Sequence, residues 1–262
     1  MTAARNAATR AIITGGAQGL GLAVAKQLAA EGATQAALVG RSRDKGAAAV
    51  RELADLGLNA VFIEADISRV ADCERVVAEA IAALGSVNAL VNSAASTGRG
   101  TLVDTTPEVF DELFSTNVRG PFFLMQGVVR HLLQIRQPGS LVNVLSMAAH
   151  AGQSFLAPYS SSKGALVTLT RNVANAYRRN RIRCNGVLPG WMDTPGEHIV
   201  QTVVHGADQD WLAKAEAAQP MGKLAKPAEL AGLITYLLSP ESGVMTGALI
   251  DYDQNVAGAY PE

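Results

Sequence analysis

The chain has 262 residues, of which 48% are hydrophobic and 17% are charged, and its formal net charge is -1. This length and low charge fraction favour a single globular domain, residues 1–262, and exclude a disordered chain. The balanced charge excludes an electrostatic case for nucleic acid, and no apolar run approaches the roughly 18–20 residues that a membrane helix needs.

Short apolar runs alternate with helix-like stretches along the whole chain. Strands are predicted at 11–14, 36–39, 60–64, 89–91, 140–145 and 183–188, with a last edge strand at 248–251. Helices are predicted at 22–30, 43–56, 70–84, 159–179 and 228–238, with one or two more within 110–135. Strands of this length separated by helices indicate βαβ units. Their right-handed crossovers predict an α/β fold, a doubly wound parallel sheet with helices on both faces.

A glycine-rich turn, Thr14-Gly15-Gly16-Ala17-Gln18-Gly19-Leu20-Gly21, separates the first strand from the first helix. Glycine permits positive φ and lets backbone N–H groups approach a pyrophosphate, beside the positive end of a helix dipole. The spacing is G-x-x-x-G-x-G, which differs from the G-x-G-x-x-G dinucleotide fingerprint. Alone, such a turn is weak evidence for a phosphate site, since similar turns simply connect strands to helices.

Three polar side chains suit acid–base chemistry. Ser146 follows the strand at 140–145, so its hydroxyl stands at the carboxyl edge of the sheet and can bond a substrate oxygen. Tyr159 and Lys163 are four residues apart and share one helix face. A nearby cation stabilises tyrosinate and lowers the tyrosine pKa, which makes Tyr159 a candidate general acid/base. Singly, these residues are also typical of a helix cap and a surface pair.

Together these motifs resemble the short-chain dehydrogenase/reductase family over nearly the whole chain. The matching features are TGGAQGLG, Ser146 thirteen residues before Tyr159, the Tyr-Ser-Ser-Ser-Lys run ending at Lys163, Asp66, Asn117 and Pro189-Gly190. The resemblance implies a Rossmann-like fold of about seven strands and hydride transfer between nicotinamide and a carbonyl or secondary alcohol. One departure is Ala95, which stands where the family usually has glycine and puts the local backbone geometry in doubt.

The resemblance also implies roles for individual residues. Lys163 would hold the nicotinamide ribose, and Asn117 would hold a water molecule in a proton relay. Asp66 and Ile67 would contact adenine. The residues predicted to bind the dinucleotide are Gly15, Ala17, Gln18, Gly19, Leu20, Gly21, Arg41, Ser42, Asp66, Ile67, Asn92, Ala94, Tyr159, Lys163, Pro189, Gly190, Met192 and Thr194.

The end of the second predicted strand favours NADP(H) over NAD(H). An acid near this position binds the 2′-hydroxyl of NAD, whereas an arginine accommodates the 2′-phosphate of NADP. The sequence there is Val39-Gly40-Arg41-Ser42-Arg43, which offers Arg41 and no acid. NAD(H) stays open, because an arginine also stacks on adenine or faces solvent, and the glycine-rich turn offers Gln18 where a second basic residue is common.

Two segments are expected to form the part of the binding site that contacts the substrate. The loop at 147–156 and the less periodic stretch at 195–222, interpreted as a helical lid, carry mixed polar side chains. A steroid or acyl pocket would be more uniformly apolar, so we expect a small polar substrate such as a sugar, polyol or hydroxy ketone. His150 and His198 in these segments are interpreted as loop or surface residues.

Two other functions stay open: a catalytically silent dinucleotide-binding sensor or scaffold, and dehydration or epimerisation of a nucleotide sugar. The complete set of Ser146, Tyr159 and Lys163 argues against the first, and the length and turn spacing against the second. The resemblance implies a homo-oligomer, a tetramer or dimer. Cys73 and Cys184 lie far apart, and we expect a cytoplasmic protein with no metal site and no nucleic-acid or membrane partner.

Overall fold

The structure is a computed structural model that describes residues 4–150 and 152–259. Both ends of the predicted domain 1–262, and Ala151 in the predicted substrate loop, lie outside the described residues. The strands are β1 (Arg10–Thr14), β2 (Gln35–Gly40), β3 (Asn59–Glu64), β4 (Ala89–Asn92), β5 (Gly139–Val144), β6 (Ile182–Pro189) and β7 (Leu249–Tyr252). They form one 7-stranded parallel sheet in the order β3-β2-β1-β4-β5-β6-β7. The predicted doubly wound, Rossmann-like α/β sheet is confirmed.

Helices cover both faces of this sheet. They are α1 (Gly19–Ala30), α2 (Arg43–Asp55), α3 (Val70–Leu84), α4 (Pro107–Phe114), α5 (Gly120–Ile135), α6 (Ala157–Tyr177), α7 (Pro195–Ile199), α8 (Trp211–Ala217) and α9 (Pro227–Leu238). Because both faces are covered, the strands are buried on both sides and appear in the sequence as continuous apolar runs. In the part of the chain described, no helix is both long enough and apolar enough to cross a membrane.

Two hydrophobic cores flank the sheet, and strand β1 contributes to both. The side chains of Ala11 and Ile13 belong to the core that contains residues of α1, α2 and α9. Ile12, between them, belongs to the core on the opposite face, with residues of α3, α5 and α6. This alternation follows from the two-residue period of a strand, and it anchors the end of β1 on which the glycine-rich turn is built.

The predicted apolar stretch 110–135 contains two helices, α4 and α5. A π-helical turn, Ser115–Arg119, joins them. Helix α4 begins before the predicted stretch, at Pro107, because the Thr106 hydroxyl accepts a hydrogen bond from the N–H of Val109. A proline in the first turn loses no intrahelical hydrogen bond, so it favours this start.

The two segments predicted to surround the substrate have different structures. The predicted lid at 195–222 contains α7, a second π-helical turn at Val200–Val204, and α8. The predicted loop at 147–156 begins with a short helical turn, Met147–Ala149.

Helix α6 begins at Ala157, before the predicted start at Tyr159, so that Tyr159 lies in its first turn. Pro158 occupies that first turn without losing a hydrogen bond.

The strand order reverses between β1 and β4, and Thr14 holds these two strands together at their carboxyl ends. Its hydroxyl oxygen accepts hydrogen bonds from the N–H groups of Ser93 and Ala94, both at 3.0 Å. In doubly wound sheets the crevice outside such a reversal is the usual ligand site. The fold therefore places a binding crevice beside the glycine-rich turn.

Candidate active site

A cavity of about 640 Å³ lies at this reversal point. The predicted site residues that line it are Gly15, Ala17, Gln18, Gly19, Leu20, Gly21, Arg41, Ser42, Asp66, Ile67, Ala94, Ser146, Tyr159, Lys163, Pro189, Gly190, Met192 and Thr194. Asn92 and Asn117 are not among the lining residues. Other lining residues, which no sequence motif marked, include Lys45, Ser96, Thr97, Glu112, Thr116, Trp191 and Glu197.

The glycine-rich turn closes tightly against the start of α1. Gly15 and Gly19 have φ values of +67° and +54°, which strongly favour glycine. A Cβ atom at Gly21 would lie 2.4 Å from the carbonyl oxygen of Gly15, so no other residue fits there without a shift of backbone. The Gln18 side chain makes no capping hydrogen bond to α1 in the described structure. The first N–H groups of α1 therefore remain available to an anion, as a pyrophosphate group requires.

A pair of basic residues stands at the end of β2. Arg41 and Lys45 both line the cavity, and the Nζ atom of Lys45 donates a hydrogen bond to Oε1 of Gln18 at 2.7 Å. The hydroxyl of Ser42 caps α2 by accepting from the N–H of Lys45 at 3.4 Å. Arg43 is not a lining residue, and it pairs with Glu64 at 3.0 Å. Arg41 stands before the start of α2, so no helical spacing linked it to Lys45, and no sequence motif marked Lys45.

Lys163 is buried in α6 and reaches under the tyrosine ring. Its Nζ atom donates a hydrogen bond to the carbonyl oxygen of Val144 at 2.9 Å and lies 5.7 Å from the centre of the Tyr159 ring. Burial lowers the pKa of Lys163 to about 8. The end of β5 thus fixes the ammonium group beside Tyr159, and the predicted shared helix face is present.

The pKa of Tyr159 departs from the sequence-based expectation. Burial raises this pKa, the Ser146 hydroxyl lowers it, and the charge of Glu197 raises it further, with a smaller opposing effect of Arg99. The net direction is upward, whereas the proximity of Lys163 alone predicts a lowered value. The physical reason is that burial destabilises the phenolate more than Ser146 and Arg99 stabilise it.

Ser146 combines two contacts that the sequence analysis treated as alternatives. Its hydroxyl oxygen accepts a hydrogen bond from the N–H of Ala148 at 3.1 Å and so caps the short helical turn Met147–Ala149. The same side chain lines the cavity and acts on the pKa of Tyr159. The cap therefore holds the hydroxyl in position beside the tyrosine.

Asn117 lies in the π-helical turn between α4 and α5 and supports the tyrosine from behind. Its side-chain amide donates to the carbonyl of Ser96 at 2.9 Å and to the Ser162 hydroxyl at 3.0 Å. The Ser162 hydroxyl in turn donates to the carbonyl of Tyr159 at 2.7 Å. Because the amide donors are used in these contacts, the predicted relay water would have to bond elsewhere on Asn117, and that role stays a prediction.

Asn92, the last residue of β4, and Ala95, three residues later, lie in different environments. Asn92 is buried, and its side-chain amide donates to Oδ1 of Asn143 at 2.8 Å, so it joins β4 to β5. Ala95 lines the cavity. Apart from glycines, the described residues with positive φ are only Arg136 and Arg181. The backbone at Ala95 therefore has a conformation that alanine adopts without strain.

The segment predicted to form a lid adds a carboxylate to the cavity. Oε1 of Glu197 accepts hydrogen bonds from Nε1 of Trp191 at 2.8 Å and from Nε2 of Gln201 at 2.7 Å. The Thr194 hydroxyl caps α7 by accepting from the N–H of Glu197 at 3.1 Å. The Thr-x-x-Glu spacing indicates a helix start but carries no sign that the glutamate faces a cavity.

The histidines of the two substrate segments are held in carboxylate pairs. His150 Nε2 lies 2.7 Å from Oδ1 of Asp251, and His198 Nε2 lies 2.8 Å from Oδ1 of Asp193. Neither histidine is a lining residue of the cavity. Both positions agree with their interpretation as loop or surface residues.

Comparison with known proteins gives consistent matches. Residues 15–254 match a family model described as enoyl-(acyl carrier protein) reductase. The chain is 31% identical to sorbitol dehydrogenase from Cereibacter sphaeroides over 249 residues, 93% of this chain and 95% of the relative. It also resembles two crystal structures. A short-chain type dehydrogenase/reductase from Mycobacterium marinum has a TM-score of 0.84 at 30% identity, covering 94% of each chain. A tryptophan-substituted variant of actinorhodin polyketide ketoreductase with NADPH has a TM-score of 0.89 at 26% identity, covering 98% of this chain and 100% of that one.

Proposed function

The chain belongs to the short-chain dehydrogenase/reductase family and is an oxidoreductase of CH–OH groups, and from this premise we propose that it interconverts a secondary alcohol and a ketone of a small polar substrate, with NADP(H) preferred over NAD(H). The observation that carries the proposal is that Ser146, Tyr159 and Lys163 line the same cavity as the glycine-rich turn. A catalytically silent protein has no need for all three side chains at one wall.

Three side chains have different roles in the proposed reaction. When bound, the nicotinamide group supplies or accepts the hydride. Tyr159 gives its phenolic proton to the substrate oxygen in reduction and takes that proton in oxidation. Ser146 donates a hydrogen bond to the same oxygen, on which negative charge develops. Lys163, fixed by the Val144 carbonyl, provides positive charge beside the phenol.

The proposed preference for NADP(H) rests on the basic pair Arg41 and Lys45. The 2′-phosphate distinguishes NADP(H) from NAD(H), and charge-assisted hydrogen bonds to a phosphate are among the strong ones in proteins. The carboxylate that would repel this phosphate is missing at the end of β2, where Gly40 and Arg41 stand. Arg43 does not add to the pair, since it is engaged with Glu64.

The proposed sugar, polyol or hydroxy-ketone substrate rests on polar side chains of the cavity that also holds Tyr159. Hydroxyl and carboxylate side chains line this cavity, among them Ser96, Thr97, Thr116 and Glu197. Hydrogen-bonding groups of this kind match a substrate with several hydroxyls better than an extended apolar ketone. The similarity to a sorbitol dehydrogenase points to the same substrate class.

Titration of the purified protein with NADPH and with NADH, followed by assays on polyols, sugars and apolar ketones, tests the proposal. We expect tighter binding of NADPH and turnover of at least one neutral polyol or sugar. Tighter binding of NADH would overturn the cofactor preference. Turnover of an apolar ketone alongside failure of every sugar and polyol would overturn the substrate class, and binding of neither dinucleotide would overturn both.

We also propose that the chain forms a homo-oligomer, a tetramer or dimer. The supporting feature is the outer face of α4 and α5, where Phe110 and Phe122 are 44% and 43% exposed in the single chain. Large aromatic side chains are enriched at protein interfaces. Sedimentation equilibrium tests this proposal, and replacement of both phenylalanines with serine should shift the protein toward monomer.

A further inference from the structure

Asp193 lies in the segment between β6 and α7, next to two residues that line the cavity, Met192 and Thr194. Backbone contacts fix this segment to the chain just before α9, because Met192 forms a parallel bridge with Ala225 and the N–H of Asp193 donates to the Ala225 carbonyl at 3.0 Å. Asp193 itself is not a lining residue. Its side chain can therefore influence the cavity only through the residues that it contacts.

The two carboxylate oxygens of Asp193 contact two different elements. Oδ1 lies 2.8 Å from Nε2 of His198 in α7, and Oδ2 accepts a hydrogen bond at 2.9 Å from Nζ of Lys226, the N-cap residue of α9. Burial raises the pKa of Asp193, but the hydrogen bonds from Lys226 and His198 together lower it by more, which keeps the carboxylate ionised. Since an ionised carboxylate only accepts hydrogen bonds, Nε2 of His198 is the donor. Asp193 thus joins α7 to the start of α9.

His198 passes this contact on to a helix that carries part of the cavity wall. It follows Glu197, which lines the cavity, and α7 has only 5 residues, Pro195–Ile199. A helix this short is not stable by itself in water, so its position depends on tertiary contacts. The imidazole ring also packs edge-on against Trp211 of α8, with ring centroids 4.7 Å apart. The contact between Asp193 and His198 is therefore one of those on which the position of α7 depends.

We infer that Asp193 is a positioning residue, which acts through His198 to hold α7 and the cavity-lining Glu197 in the geometry that binds the substrate. This inference rests on the proposed oxidoreductase function at the same site. Neither Asp193 nor His198 lines the cavity, so the pair acts on substrate affinity and takes no part in proton transfer or dinucleotide contacts.

The test isolates this contact by comparing His198→Ala with His198→Gln, once with Asp193 present and once in an Asp193→Ala background. Both variants lose the imidazole ring, but glutamine retains an N–H donor. Because hydrogen bonds to charged groups are stronger than neutral ones and this pair is partly exposed, KM for sorbitol should be about three- to tenfold higher in His198→Ala than in His198→Gln. Without Asp193 the two KM values should agree within about twofold, as the double-mutant cycle requires. The kcat values should differ by less than about twofold throughout, since only binding geometry is lost.

Intrinsic fluorescence supplies a second measurement that needs no substrate. The 2 tryptophans of the chain, Trp191 and Trp211, have ring centroids 6.4 Å apart, and Trp211 is 6% exposed. In a Trp191→Phe background all tryptophan emission comes from Trp211. Acrylamide should quench this emission more strongly in His198→Ala than in His198→Gln, because a loosened α7 exposes the indole. The difference should disappear when Asp193 is replaced, because α7 is then loosened in both.

His205→Ala is the matched control, because His205 is an exposed histidine of the predicted lid that forms no ion pair within residues 4–150 and 152–259. Both measurements should match wild type in this variant, and NADPH titration verifies that each His198 and Asp193 variant is folded. A difference between His198→Ala and His198→Gln that persists without Asp193, or that is missing when Asp193 is present, would overturn the inference alone. Failure of wild type on every alcohol and ketone, despite NADPH binding, would overturn the proposed function and with it the substrate role of Asp193.

Discussion

The ammonium nitrogen of Lys45 donates a 2.7 Å hydrogen bond to Oε1 of Gln18 and so joins the first turn of α2 to the glycine-rich turn. The bond places a positive charge where family members that prefer NADP often carry a basic residue in the turn itself. In this chain, Lys45 reaches the turn from the neighbouring helix. The pair of Lys45 and Arg41 therefore leads to a direct prediction about cofactor choice.

Replacing Arg41 or Lys45 with alanine is expected to weaken NADPH binding and leave NADH binding nearly unchanged. Each loss of a charge-assisted contact to the 2′-phosphate should raise the Kd for NADPH about tenfold or more. Fluorescence titration with both dinucleotides measures this. Lys26→Ala is the control, because Lys26 pairs with Glu52 and is not a lining residue. Equal effects on NADPH and NADH would contradict phosphate recognition.

The phenolic hydroxyl of Tyr159 is expected to be essential for turnover. Tyr159→Phe should lower kcat by about 10²- to 10⁴-fold, the usual contribution of a general acid or base. NADPH affinity should stay within about twofold, because the ring is retained and only a proton donor is lost. Tyr177→Phe, which removes the same group from the other end of α6, should keep full activity. Residual turnover near wild type in Tyr159→Phe would place the acid elsewhere.

The buried ammonium of Lys163 should make stability depend on pH. Its pKa is about 8 in the folded protein and 10.5 without burial. Between these values the unfolded chain binds more protons, so the free energy of unfolding rises with pH across this window. Below pH 8 the full cost of burying the charge is present, and it disappears above 10.5.

Chemical denaturation of wild type and Lys163→Met at pH 7 and pH 10 measures this dependence. The difference between wild type and variant cancels the other titrating groups and should change by about 2–3 kcal/mol in favour of wild type at the higher pH. A constant difference across this range would mean that Lys163 is not desolvated. Loss of the bond to Val144 adds an offset that does not depend on pH.

The fold was predictable because its signals are local. The strand that ends at Thr14, the glycine-rich turn and the start of α1 follow from neighbouring residues, and the alternation of strands and helices indicates the parallel sheet. The predicted grouping of Ser146, Tyr159 and Lys163 follows from where strands and helices end. These are relationships that a sequence carries within a few residues.

The other features of the site depend on tertiary contacts that the spacing of residues in the sequence does not indicate. The Glu197 carboxylate is held by Trp191 and Gln201, and the predicted lid, which carries Glu197 and Gln201, has weak periodicity. The upward direction of the Tyr159 pKa comes from burial, which depends on packing across the whole cavity. Asn117 joins other elements through Ser96 and Ser162, distant in sequence.

Gln254 is expected to control how firmly the lid is held. Its side chain accepts from the N–H of Met221 and donates to the carbonyl of Lys223, both at 2.7 Å, and so ties the segment after β7 to the end of the lid. Gln254→Ala should raise the substrate KM about three- to tenfold, because it removes two hydrogen bonds of about 1 kcal/mol each that hold the predicted lid segment. Steady-state kinetics and limited proteolysis measure the loosening, and the Kd for NADPH should not change. Asn255→Ala removes only long contacts of 3.4 and 3.5 Å and serves as the control. Equal KM values for the two variants would show that this tie does not hold the lid.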